Sequence, residues 1–138
     1  MCLTTVTKKY QIPSNQVKEG FKVIIDNYWN ASCFQVPVYN DTYYFDEWLT
    51  ASGNNIYAAD GTCYPSGFHI FTKYYDAQDY RDKHYPNGRV VLVRYAGIQT
   101  IGTQDGLKVL VAKKMYCSFD QLQMATATEY QTDNEMPW

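Results

Sequence analysis

The chain is poor in several features that would announce a function. Arginine occurs only at Arg81, Arg89 and Arg94, and the only adjacent lysine pairs are Lys8–Lys9 and Lys113–Lys114. A phosphate backbone is gripped by clustered cations that displace its counterions, so duplex DNA or RNA is disfavoured as a partner. A net charge of −2 is also too small for a nucleic-acid mimic. The two histidines, His69 and His84, and the four cysteines, Cys2, Cys33, Cys63 and Cys117, form no CxxC spacing or other zinc pattern. No metal and no cofactor are expected. A phosphate-binding glycine loop, a dinucleotide fingerprint, a Ser-His-Asp order and a metalloprotease helix are all missing. No run approaches the roughly 18 apolar residues that cross a bilayer, and Met1–Lys9 lacks the apolar stretch of a secretory signal. The expectation is a cytosolic protein whose cysteines are free thiols, mostly small buried hydrophobes.

What the chain has in excess is tyrosine, 14 residues out of 138, within an aromatic content of 17%. Tyrosine fits a pleated, half-buried strand surface. It also serves adaptable recognition surfaces, since it offers large area and a polar tip at low entropic cost. The length is that of one domain able to bury a core.

Hydrophobic patterning predicts an α+β domain over residues 1–117, a mostly antiparallel sheet with one principal helix packed on one face, and a polar tail over 118–138. Lys22–Asn27 reads as the first strand. Ser32–Tyr39 reads as a second, with Pro37 favouring an edge and leaving a homodimer open. Thr42–Leu49 reads as a third strand or a short irregular segment, and Ala51–Gly61 as a long loop. Gly67–Phe71 is a short strand. Tyr74–Tyr85 is the convincing helix, with Thr72 at its N-cap, Asp76 in its first turn and Lys83 and His84 in its last. Arg89–Tyr95 is the clearest strand, Gly97–Ile101 a short strand or loop, Gln104–Gly106 a turn, and Lys108–Cys117 the last long strand.

Tyr64-Pro65-Ser66-Gly67-Phe68-His69-Ile70-Phe71 is the most specific segment. Strand alternation places Phe68 and Ile70 on one side and His69 and Phe71 on the other. A histidine among aromatic neighbours suits proton transfer or ligand recognition; a buried histidine more often simply satisfies a backbone carbonyl. Tyr64, His69, Phe71, Arg94 and Lys108 are the candidate contacts for a ligand or partner, the two cations being placed to meet phosphate. Cys2 would become an N-terminal nucleophile if Met1 were removed, but its activation needs a depressed thiol pKa and a supporting base. Asp46 and Glu47, adjacent on a strand, would point apart. Asp76 and Asp79 share a solvated helix face.

The Gly67–Phe71 run, the following Asp76-Ala77 helix, Val90–Val93 and the Val109-Leu110-Val111-Ala112-Lys113 pattern resemble a set of small uncharacterised phage and bacterial proteins that often open Met-Cys-Leu-Thr. The likeness covers most of residues 1–117 and implies a phage or prophage origin. Residues 67–95 are also similar to a unit of ADP-ribosyltransferase folds, with His69 where that family stacks a tyrosine on nicotinamide. In the stretch similar to the one that carries that family's catalytic glutamate, Gln104–Leu110, this chain has Lys108, and its first strand lacks the family's His-Gly or Arg-Gly pair. Three readings result. The first is a non-catalytic inhibitor of a host component such as a CRISPR effector or other defence factor. The second is a sponge for a nucleotide-like signal, and the third a transferase-like or N-terminal-cysteine enzyme.

Overall fold

The computed structural model describes residues 3–10, 15–26, 33–35 and 42–120. Its strands are β1 (Thr5–Lys9), β2 (Lys18–Asp26), β3 (Cys33–Gln35), β4 (Thr42–Tyr44), β5 (Trp48–Thr50), β6 (Asn55–Tyr57), β7 (Cys63–Pro65), β8 (Phe68–Phe71), β9 (Arg89–Gln104) and β10 (Leu107–Tyr116). One helix of more than a single turn, α1 (Tyr74–His84), stands among the described residues. The fold is α+β, a large antiparallel sheet with that helix packed against it.

The sheet is organised by β9. It runs for 16 residues, with Gly97 at φ 74 inside it. A left-handed backbone suits glycine because no Cβ opposes it. Before this point β9 pairs with β2, from Lys18–Tyr95 to Ile24–Arg89; beyond it, with β1. Its other edge is held by β10, which in turn pairs with β8 and β5. Phe21 of β2 also meets Phe71 of β8, so β9, β10, β8 and β2 close a circuit. The β9–β10 turn places Asp105 at φ 52 and Gly106 at φ 80. Two successive left-handed residues match the twist of the strands they join.

Two apolar layers result. Inside the circuit lie Ile24, Phe34, Phe45, Phe68, Ile70, Val91, Val93, Leu110, Met115 and Cys117. On the outer face, Tyr74, Ala77 and Tyr80 of α1 cover Phe21, Val23, Phe71, Val90 and Val109, joined by Leu3 and Tyr64. Two glycines permit close strand approach. A Cβ on Gly67 would stand 2.7 Å from the Ala112 carbonyl oxygen, and one on Gly102 would strike the Thr5 carbonyl oxygen.

Several sequence expectations are corrected. The Ala51–Gly61 loop contains β6, which pairs with β7 from Asn55–Pro65 to Tyr57–Cys63. Thr42–Leu49 is not one strand: Asp46 at φ 64 breaks it, and β4 and β5 join different parts of the sheet. Asp46 and Glu47 therefore lie in a turn. The helix N-cap is Lys73, extended at φ −122 and ψ 138 and without a side-chain cap, rather than Thr72. Gly97–Ile101 is the middle of β9, and Thr5–Lys9 is an unforeseen edge strand. Of Ser32–Tyr39 only Cys33–Gln35 is described, and Cys2 and the tail beyond Asp120 lie outside the described residues.

Candidate functional site

The His69 region is built by β8. His69 stands opposite Val111 of β10, facing the helix-covered side with Phe71. Only 4% of its surface is exposed. Tyr64 Oη lies 3.2 Å from His69 Nε2 and accepts the Leu3 backbone N–H at 2.8 Å. Burial, reinforced by the charge of Lys22, lowers the His69 pKa to about 3, against a hydrogen bond to the Gly67 backbone that favours the charged form. A neutral ring that gives its proton to Gly67 accepts one from Tyr64 at Nε2. The imidazole is thus satisfied on both sides, holding the N-terminal segment, β7 and β8 together. Phe71 packs on Tyr80, ring centroids 5.5 Å apart, and belongs to the same layer.

Across the strand, inside the circuit, Lys22 is 4% exposed and donates from Nζ to the His69 carbonyl oxygen at 2.8 Å. It forms no ion pair among the described residues. Burial lowers its pKa to about 8, partly opposed by Cys117. Burial also raises the Cys117 thiol to about 12, with Asp46 adding to the rise and Lys22 opposing it. An ammonium with one acceptor in an apolar layer costs stability. Sequence reading missed Lys22 as a buried residue: its position between Phe21 and the Val23–Ile25 run, two residues before Ile24, was the available signal.

The remaining candidates do not join His69. Arg94 and Lys108 are exposed and lie on opposite sides of the sheet: Lys108 shares a side with Leu110 of the inner layer, Arg94 with Val90 of the outer. They do not form a common anion site. Arg94 instead takes part in a row written by strand register. Trp48 of β5 pairs with Tyr116 of β10, Tyr116 with Arg94 of β9, and Arg94 with Glu19 of β2. Directly opposed residues project to the same side. The Trp48 and Tyr116 rings stand 5.7 Å apart, yet Trp48 remains 45% exposed and Arg94 and Glu19 are exposed. Lys114, two residues from Tyr116 and opposite Thr50, is exposed beside them. This is the same side of β2 and β9 that α1 covers further along, and here it is open.

A third cluster joins helix and turn. His84 Nε2 is 2.6 Å from Asp105 Oδ2, and the Asp105 N–H donates to Thr4 Oγ1 at 3.2 Å. The His84 ring lies 4.7 Å from that of Tyr80, whose hydroxyl accepts from Gln104 Nε2 at 3.2 Å. Burial, with Tyr85 and Asp105 nearby, raises Tyr80 to about 12. The His84–Asp105 contact secures the β9–β10 turn to α1.

No group of three or more His, Cys, Asp or Glu side chains among the described residues could hold a metal ion, and no described helix is long and apolar enough to cross a membrane. No protein-family model, curated protein or solved structure matches the chain.

Proposed function

We propose that this chain is a non-catalytic binding protein, of phage or prophage origin, that engages and inhibits a host component in the host cytosol. A defence factor such as a CRISPR effector is the target class. The observation that carries the reading is the open row Trp48–Tyr116–Arg94. Tryptophan, tyrosine and arginine are the residue types most enriched where binding energy concentrates. An exposed tryptophan and a half-buried tyrosine beside an exposed guanidinium fit an interface better than a monomer's surface. His69 supports recognition rather than turnover, because its imidazole is neutral, enclosed and spent on Tyr64 and Gly67.

The test is a quantitative pull-down from bacterial lysate with the wild type and Trp48→Ala. A stoichiometric partner that is retained by the wild type, lost in the variant and inhibited when the purified proteins are mixed supports the reading. Equal retention by both, or turnover of a substrate by the wild type, counts against it.

One observation favours a nucleotide sponge as the second reading. Arg94 lies next to an aromatic pair, and rings stack on bases at about 1–3 kcal/mol each. A thermal-shift screen with nucleotides decides it: a ligand at about a hundred times its Kd adds about 2.7 kcal/mol. No shift removes this alternative.

A further inference from the structure

If the chain binds a protein, as proposed, the open row also specifies the chemistry of that partner. Residues 114–117 alternate exposed, buried, half-buried, buried, so Lys114 and Tyr116 share the open side while Met115 and Cys117 enter the core. Tyr116 stands opposite Arg94, which makes Lys114 and Arg94 diagonal neighbours across β10 and β9, within reach of one small anion for side chains this long. Neither cation forms an ion pair or a side-chain hydrogen bond among the described residues, Arg94 with the facing Glu19 included. Trp48 and Tyr116 border the pair on the β5 side. Val17, just ahead of β2, adds an exposed apolar group.

We propose that the partner is a protein segment carrying a carboxylate beside an aromatic or aliphatic side chain. The carboxylate seats between Arg94 and Lys114, and the apolar group rests on Trp48 and Tyr116. A guanidinium matches a carboxylate with two parallel hydrogen bonds, and the aromatic border excludes water from that contact, strengthening it. Glu19 and Glu47, both exposed at the ends of the row, favour a single seated carboxylate over a polyanionic chain.

The experiment pans a random dodecapeptide library displayed on phage against the immobilised full chain, with Trp48→Ala as the counter-selection. The expected result is enrichment of peptides with Asp or Glu within two positions of an aromatic or aliphatic residue. As synthetic peptides these bind the wild type, lose about tenfold or more in affinity to Arg94→Glu, and regain binding to that variant when their acid is replaced by lysine. Enriched peptides without an acid, equal binding by Arg94→Glu, no enrichment, or binding of oligothymidylate in place of peptides overturns the proposal. Circular dichroism of Trp48→Ala and Arg94→Glu checks that both fold. A lysate partner lost with Trp48→Ala but kept by Arg94→Glu overturns this chemistry alone, whereas one kept by both overturns the binding reading as well.

Discussion

One side of the sheet ends in two different ways. Towards Phe21, Val23 and Val90 it lies beneath α1, and close by, Tyr64 and His69 are buried and joined by a hydrogen bond. Towards Glu19, Arg94 and Tyr116 the same strands continue beyond the helix, and Glu19 and Arg94 are exposed there with no ion pair among the described residues. A polar side chain under the helix must find a partner within the protein, because an unmade bond there costs its desolvation. At the open end solvent supplies the bonds, so the side chains stay available to another molecule. Substitutions should therefore separate cleanly, with folding disturbed at one end and recognition at the other.

The largest contrast is expected in acid. His69 has a folded pKa of about 3 against 6.5 when unfolded. Between those values the unfolded chain binds more protons, so stability is lost as pH falls. At about 1.4 kcal/mol per pH unit, the loss from this group is roughly 3 kcal/mol by pH 4. Urea unfolding of wild type and His69→Gln at pH 7 and pH 4 checks it: the wild type should lose more on acidification by about that amount.

Gly67→Ala should cost about 2–3 kcal/mol, since its Cβ meets the backbone of β10. The same denaturant titration reads it. A loss below about 0.5 kcal/mol would mean that β8 shifts freely.

Lys22→Met should gain about 1–3 kcal/mol at pH 7 by replacing a poorly paired buried charge with an apolar chain of similar length. In the wild type the unfolded Lys22 stays protonated above its folded value of about 8, so stability rises with pH there, by about 1 kcal/mol between pH 8 and 9. Cys117, raised from 9 to about 12, works the other way above pH 9, where the folded chain holds the extra proton. The rise between pH 8 and 9 should vanish in Lys22→Met. If it persists, Lys22 is not its source.

The smallest effect on stability belongs to the open end. Arg94→Glu should change the unfolding free energy by no more than about 0.5 kcal/mol, as exposed charges usually do, while weakening partner binding about tenfold or more. A large loss of stability would erase the distinction between the two ends.

The fold was legible where one period dominated. Tyr74, Ala77 and Tyr80 marked the buried face of α1, and the Val-rich runs marked β9 and β10. The breaks were hidden because they depend on backbone conformations that the composition did not signal: Asp46 takes a left-handed turn that divides a strand, and Gly97 takes one without ending its strand. β6 was missed because a strand of three residues, Asn55–Tyr57, has almost no period to read. The segment around His69 was legible as notable. A backbone partner for a buried histidine was legible as well, whereas the contacts from Tyr64 and Leu3 were not, because both reach it through the fold. The open row was illegible for the same reason. Trp48, Tyr116, Arg94 and Glu19 become neighbours only through strand register, although Arg94 had been singled out for its charge.

The Asp105–Gly106 turn has a consequence for how the molecule assembles. It joins the two longest strands through two residues, so their ladder can zip outward from a local start. β2, β8 and β5 must each be recruited from far along the chain, and search of that kind slows folding. Within the large sheet, β1, β2, β5 and β8 each pair directly with one strand of this hairpin. A residue that resists the left-handed conformation at 105 or 106 should slow folding more than it speeds unfolding.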